Sequence, residues 1–415
     1  MTKIVHLSHS DSNGGAAIAA RRLNHAMTAA GLESALVTAK DLLTIRPNAS
    51  CIEKIYDRIH SRFYWKQVNK ELKQYHLKGS WSCGASLNHL DTNPLIQQAD
   101  VVYLHWVNHS MLSVEEIGHL LDSGKQVIWF LHDMWPMTGG CHYAFDCKRY
   151  QHHCGACPML GSEQERDLSW KVFERKLKCL TGRSNLTIAT PSLWMAECAK
   201  YSRLFGGYRV EAIPNVVDPF VFHPIPKDVV RDVLGLPKHR KLILFGCDGG
   251  TRNFYKGWNY LEKVLQQLHM TDTSLLVFGQ EGDTSLAGKC GMDVHFLGYL
   301  HDEFPSLALA YNTADVFVSP SIAENFSQTM CEASACGTPA VCFDIGGNSD
   351  IVLHKQTGYL AKYKDADDLA RGIDWILNHD DAQSLSQNAR EHISNLCSPQ
   401  IVIKKHQTLI ESLLE

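Results

Sequence analysis

Two carboxylates, Glu324 and Glu332, stand with seven residues between them in S-P-S-I-A-E-N-F-S-Q-T-M-C-E-A-S-A-C-G-T-P, residues 319–339. The apolar run Ala314–Ser319 reads as a buried strand, and Ser327–Cys336 reads as a helix ended by Gly337 and Pro339. Glu324 therefore precedes the helix and Glu332 lies inside it. The backbone N–H groups of Phe326, Ser327 and Gln328 then fall at the positive end of the helix dipole, a seat for a phosphate. Carboxylates accept hydrogen bonds from hydroxyls. An anion seat flanked by two acids suits a ligand with hydroxyls at both ends and phosphates between them, and a nucleotide sugar is such a ligand. The plain alternative is a pair of solvated acids near a helix end.

Three further groups have chemistry to offer. F-G-C-D-G-G-T-R-N-F-Y-K-G follows a predicted strand and carries Arg252 and Lys256. A cation held there would act on charge that develops on a departing diphosphate, where it counts for more than in the ground state. His132 ends the apolar strand Q-V-I-W-F-L-H-D, where a sheet delivers a side chain to a binding edge, and Asp133 either orients it or caps the turn. A lone histidine is otherwise a satisfied core residue. Gly14 and Gly15 follow the first strand and open an Ala-rich helix, so the backbone there is able to approach a ligand closely. The spacing G-x-G-x-x-G is absent, which argues against a dinucleotide site.

Cys141, Cys147, Cys154 and Cys157 form a block after His132. Cys154-x-x-Cys157 has a chelate spacing and the other gaps are looser, so a structural zinc, packed reduced thiols and one disulfide are the readings open.

The E-x7-E segment, with Lys256-Gly257 and the strand-end His132, resembles the retaining GT-B glycosyltransferases of family 4 over nearly the whole chain. The H-D-x-W block followed by cysteines is similar to the subgroup associated with colanic-acid-like exopolysaccharides. The resemblance implies that Glu324 binds donor-sugar hydroxyls, Glu332 the ribose, Lys256 and Arg252 the diphosphate, and His132 a sugar hydroxyl. It gives Gly15 an approach to the donor. The donor-binding set expected is thus Gly15, Asn325, Phe326, Ser327, Gln328 and Glu332, with His132, Glu324, Lys256 and Arg252 as the catalytic set. The family usually has Gly where this chain has Ser327. Gly346 and Gly347 match the family too, and shape a turn. The donor is expected to be UDP- or GDP-linked, with no catalytic metal because cations and a helix terminus cover the diphosphate. The acceptor expected is a glycan or lipid-linked oligosaccharide of a bacterial surface polysaccharide. A sugar-nucleotide epimerase on the same fold and a non-catalytic glycan-binding scaffold are the alternatives.

The elements that must position these groups are legible as alternating strands and helices. Lys3–Ser10, Ser34–Ala39, Asp100–Val107, Gln126–Asp133 and Leu186–Ser192 read as buried strands. The pattern restarts with Lys241–Cys247, Ser274–Gly279, Val294–Gly298, Ala314–Ser319 and Ala340–Asp344. Such alternation means parallel sheets with helical crossovers, here an α/β chain of two Rossmann-like doubly wound domains. The domains expected are 1–215 for the acceptor, with a Cys-rich insertion at 139–160, and 216–397 for the nucleotide sugar. A last helix, 398–415, crosses back by family resemblance, and the Pro-rich 210–224 reads as a linker. Ligands of open α/β sheets bind beyond the carboxyl ends of the strands, so a donor on the second sheet would meet an acceptor on the first across a cleft.

A chain of 415 residues with 45% hydrophobic content has enough apolar mass for two cores. A formal charge of -4 gives no reason to expect nucleic acid. The N-terminus reads as a strand rather than a leader, and no run reaches the ~18 apolar residues of a membrane span. The expected location is cytoplasmic, at the inner face of the cytoplasmic membrane if the acceptor is lipid-linked. Fourteen cysteines in such a chain are expected to be mostly reduced. Residues 53–73 place Lys54, Arg58, Arg62, Lys66 and Lys70 beside Ile55, Ile59 and Phe63 at helical spacing. That apolar row either packs on the core, the ordinary outcome, or makes peripheral contact with a membrane.

Overall fold

The computed structural model describes residues 2–12, 14–43, 50–246, 249–267, 272–282, 291–300 and 305–415, with the backbone alone for 51–54 and 56–57. The chain divides into two units, Met1–Ile213 with Ile403–Glu415, and Pro214–Val402. The last helix, Pro399–Leu414, begins in the second unit and ends in the first.

The first unit holds β1 (Lys3–Ser8), β2 (Glu33–Thr38), β3 (Val101–Leu104), β4 (Gln126–Phe130), β5 (Leu186–Thr190) and β6 (Val210–Ala212). They form one parallel sheet in the order β2-β1-β3-β4-β5-β6. β3 and β5 are buried along their whole length, as strands covered by helices on both faces must be. The second unit repeats the plan with β7 (Lys241–Gly246), β8 (Thr273–Phe278), β9 (Asp293–Gly298), β10 (Val316–Ser319), β11 (Ala340–Phe343) and β12 (Gly358–Ala361). Its order is β12-β11-β10-β7-β8-β9, again parallel throughout. The covering helices follow their apolar period: Ala366–Leu377 buries Leu369, Gly372, Ile373, Ile376 and Leu377, one face of a 3.6-residue repeat. Asp365 caps that helix by accepting from the Asp368 N–H.

Several expectations change in detail. The segment read as a linker from residue 210 begins with β6, a three-residue edge strand whose residues are only half buried. β12 had no counterpart in the sequence reading. Cys247, expected to close β7, lies outside the described residues. β4 stops at Phe130 rather than Asp133, because Asp133 accepts a hydrogen bond from the Trp135 N–H and turns the chain there.

The helix predicted over 53–73 forms, spanning Cys51–Leu72. Its apolar row does not pack on the core: Ile55, Ile59 and Phe63 are 58%, 64% and 60% exposed. The face that docks is another one, where Leu72 joins the cluster of Cys157, Leu160, Leu168 and Val172, and Glu71 pairs with Lys171. The Lys54 side chain lies outside the described residues. Among the described residues no helix is long and apolar enough to cross a membrane.

Candidate functional site

In the second unit β10 runs into a short loop and then the helix Gln328–Ala335, with Ser327 as its cap, its hydroxyl accepting from the Met330 N–H. The loop carries Glu324 to a buried position. Lys256 Nζ lies 2.8 Å from Glu324 Oε2, with the side chains 29% and 10% exposed. Two features hold the pair. The Ile322 N–H donates to the Tyr255 carbonyl at 2.8 Å, tying one loop to the other. Gly257 has φ +67°, and a Cβ on it would lie 1.8 Å from the Pro320 carbonyl oxygen, so only glycine permits this approach.

Asn325 accepts a hydrogen bond from the Gly347 N–H, which places the glycine turn after β11 against the same loop. Phe326 and Ser327 are buried, and Gln328 begins the helix. Glu332 is buried as well, and the Tyr311 hydroxyl donates to its Oε2 at 2.8 Å. Tyr311 was not singled out in the sequence. The only clue was a tyrosine at helical spacing among alanines and leucines, which reads as core. Arg252 ends a short turn, Gly250–Arg252, and is exposed. That turn is anchored by Gln280, whose Oε1 accepts from the Thr251 N–H and hydroxyl, each at 2.8 Å. Glu324, Asn325 and Lys256 are thus brought together, and Arg252 is not shown in contact with them.

In the first unit Gly14, with φ +87°, caps the helix Gly15–Ala29, and among the described residues none comes within 4 Å of a Cβ built on Gly15. His132 leaves the end of β4, its Nε2 2.9 Å from His105 Nδ1. Asp133 receives His142 Nδ1 at 2.6 Å, the Trp106 indole N–H at 2.7 Å and the Trp135 N–H at 2.9 Å. Burial alone would raise the Asp133 carboxyl, but His142 and these hydrogen bonds outweigh it and hold the pKa below the ordinary value. Burial pushes the His132 ring down to about 4 against the opposing charge of Asp133, so the ring is neutral near pH 7. His105, Trp106 and His142 were missed because they bear on Asp133 and His132 only through the sheet and its loops.

Among the described residues no group of three or more His, Cys, Asp or Glu is arranged to hold a metal ion. Cys141, Cys147, Cys154 and Cys157 are free thiols, and Cys154 Sγ accepts from the Gly139 N–H at 3.1 Å. Burial raises the thiols of Cys141, Cys154 and Cys157 above the ordinary cysteine range. The insertion is held from beneath by Lys176, fully buried over the Trp135 ring, with Nζ donating to the carbonyls of Trp135 and Thr138.

Residues 227–392, all within the second unit, match the family model described as Glycosyl transferases group 1. A D-inositol 3-phosphate glycosyltransferase of Xylanimonas cellulosilytica is 33% identical over 179 residues, 40% of this chain and 42% of that protein. The chain spans less than half the length of the first curated relatives it matches. Solved structures align with nearly the whole chain, two of them as follows. Sucrose-phosphate synthase from Thermosynechococcus elongatus has a TM-score of 0.67 at 18% identity, over 100% of this chain and 99% of that one. Anabaena HepE in complex with UDP-glucose has a TM-score of 0.62 at 15% identity, over 99% and 100%. At these identities the likeness is one of fold, and the fold is GT-B: two doubly wound α/β units in tandem.

Proposed function

We propose that the chain is a retaining glycosyltransferase that moves a sugar from a nucleotide-sugar donor to a glycan or lipid-linked glycan acceptor in bacterial surface polysaccharide synthesis. The observation that carries the reading is the Lys256–Glu324 pair at 2.8 Å. A nucleotide sugar has a phosphate and sugar hydroxyls on either side of a single anomeric linkage. A cation beside a carboxylate supplies one group for each side of that linkage. The group 1 match over residues 227–392 and the UDP-glucose bound by Anabaena HepE support a nucleotide-linked donor.

In this reading Lys256 stabilises charge gathering on the departing diphosphate, with Arg252 and the N-terminal turn of Gln328–Ala335 adding to it. Glu324 accepts from sugar hydroxyls, Glu332, steadied by Tyr311, accepts from the ribose, and His132 contacts a sugar hydroxyl. Gly15, Asn325, Phe326, Ser327 and Gln328 make the remaining donor contacts. The bond from the anomeric carbon to the diphosphate oxygen breaks as the acceptor oxygen adds to the same face. The acceptor proton passes to the departing phosphate oxygen. Since Lys256 supplies the positive charge, divalent metal is dispensable. The exposed Ile55, Ile59 and Phe63 beside Arg58, Arg62, Lys66 and Lys70 favour work at an anionic membrane surface, where a lipid-linked acceptor resides.

Thermal-shift titration with UDP, GDP and ADP, followed by incubation with the matching labelled sugar donors in EDTA, tests the reading. Stabilisation by one nucleotide and slow release of labelled sugar, with retained anomeric configuration on transfer, are expected. Conversion of the donor to an epimer, or no stabilisation by any nucleotide, would overturn it.

A further inference from the structure

Three histidines from three adjacent strands form a hydrogen-bonded row in the first unit. His6 lies in β1, His105 just beyond β3 and His132 just beyond β4. His6 Nδ1 is 2.9 Å from His105 Nε2, and His105 Nδ1 is 2.9 Å from His132 Nε2. Sheet geometry explains the alignment. β1 pairs His6 with Tyr103, and β3 pairs Tyr103 with Ile128. Residues two apart along a strand share a face, so Tyr103 and His105, like Ile128, Phe130 and His132, stand on the face of His6. The ring of His6 stacks on Tyr103, while His6 and His105, like His105 and His132, lie end to end with ring planes 29° and 27° apart and centroids 5.2 Å apart, as in-line ring-nitrogen bonds require.

His6 and His105 are buried, and among the described residues His6 Nε2 has no hydrogen-bond partner. A neutral imidazole has one N–H and one bare nitrogen. Both nitrogens of His105 are engaged, so every N–H in the row must point the same way. If the row runs from His132 towards His6, His6 is left with a buried N–H and no acceptor. If it runs from His6 towards His132, His6 is left with only a bare lone pair. Buried donors without acceptors are the rarer case. We infer that His6 and His105 are positioning residues that fix the tautomer of His132, keeping its proton on Nδ1. His132 Nδ1 is then a hydrogen-bond donor and not a base. This rests on the proposed role of His132 towards a sugar hydroxyl, and it narrows that role to donation into an oxygen lone pair.

Burial keeps all three rings neutral near pH 7, so the tautomer rather than the charge is what the row sets. Asp133 after β4 acts on His132, and His406 on the last helix acts on His6 and His105; Lys405 acts on His406, and Tyr103, bonded to His406, lies against His6.

Long-range proton–nitrogen NMR of histidine-labelled full-length protein at pH 7.5 reads the ring nitrogens directly, with His132→Gln identifying the resonances. A protonated Nδ1 and a bare Nε2 are expected for His132. His105→Phe should convert this pattern to a tautomer mixture. His105→Asn, whose amide reaches the position of Nδ1, should restore it. A thermal melt establishes that each variant folds, and His6→Phe, which keeps a ring against Tyr103, provides the same readout should His105→Phe not fold. A His132 proton on Nε2 in the wild type, or a pattern unmoved by both Phe variants, would overturn the inference. Absence of sugar transfer would remove the proposed activity without touching this readout.

Discussion

Lys256 and Glu324, 68 positions apart in the sequence, form an ion pair of 2.8 Å within one unit. Neither is a surface decoration, since the carboxylate is nearly buried and the ammonium half-buried. Because the two groups are assigned to opposite sides of one scissile linkage, their substitution has distinct signatures. Lys256→Ala should lower kcat by about 10²-fold or more, as expected for loss of a group that stabilises charge in the transition state. Glu324→Gln should lower kcat by a similar factor and leave the nucleotide affinity nearly intact. Steady-state kinetics with nucleotide binding measured in parallel checks both, and near-normal turnover in either variant would remove that residue from the mechanism.

Gly257 is predicted to be the hinge of this pairing. An added Cβ requires both a left-handed backbone and the displacement of Pro320, so Gly257→Ala should destabilise the second unit by about 2 kcal/mol or more. The loop carrying Lys256 would also shift from Glu324, and transfer should fall further than the loss of folded protein explains. A thermal melt beside a turnover measurement separates the two effects.

Much of the plan was visible in the sequence because parallel strands buried on both faces leave unbroken apolar runs, as in β4, β8 and β10. β6 and β12 were not, since edge strands of three and four residues leave too short a pattern to separate from loop. The Lys256–Glu324 contact was hidden for a different reason: each residue was legible in its own motif, but the approach depends on the fit of Gly257 to Pro320. The row through His6 and His105 left a faint trace in Tyr103-x-His105 and Phe130-x-His132, where alternate strand positions carry aromatic rings. The helix Cys51–Leu72 shows the limit of periodicity, which locates an apolar row without saying whether protein or solvent faces it.

Glu332 and Tyr311 yield a prediction about affinity rather than turnover. Tyr311→Phe removes the hydroxyl that donates to a buried carboxylate, at a cost of about 1–3 kcal/mol. If Glu332 binds the ribose, the freed carboxylate will sit less well for that contact. The dissociation constant of the stabilising nucleotide should rise by roughly 10-fold, measured by calorimetry. An unchanged constant would confine the pair to a packing role.

The buried histidines make the first unit sensitive to acid. Burial pushes His6 and His406 down to about 3, with His406 and Lys405 respectively adding to the effect, and His132 down to about 4. Burial and the neighbouring His132, His6 and His406 take His105 well below 6.5. In the unfolded chain each protonates near 6.5, so below that pH the unfolded state binds more protons and stability falls. The loss runs from about pH 6.5 down to the folded values, at about 1.4 kcal/mol per histidine per pH unit. Four such groups make the slope on the order of 5 kcal/mol per unit, enough to unfold a domain of ordinary stability between about pH 5 and 4. Calorimetry from pH 8 to 5 should show the transition of the first unit falling steeply below 6.5. A flat profile would mean that the rings are protonated in the fold.

The exposed row on Cys51–Leu72 is predicted to bind anionic bilayers. Ile55, Ile59 and Phe63 occupy successive turns, and Arg58, Arg62, Lys66 and Lys70 run along the adjoining ridge, so apolar insertion and attraction to headgroups act on the same helix. Each basic residue near such a surface contributes about 1 kcal/mol, and the attraction is screened by salt. The full chain should sediment with phosphatidylglycerol-containing vesicles in low salt and not with pure phosphatidylcholine vesicles. Ile59→Asp combined with Phe63→Asp should abolish sedimentation while leaving the melting temperature nearly unchanged, because neither side chain packs on the core. Equal sedimentation with neutral vesicles, or binding that survives the double substitution, would assign this row to some other surface.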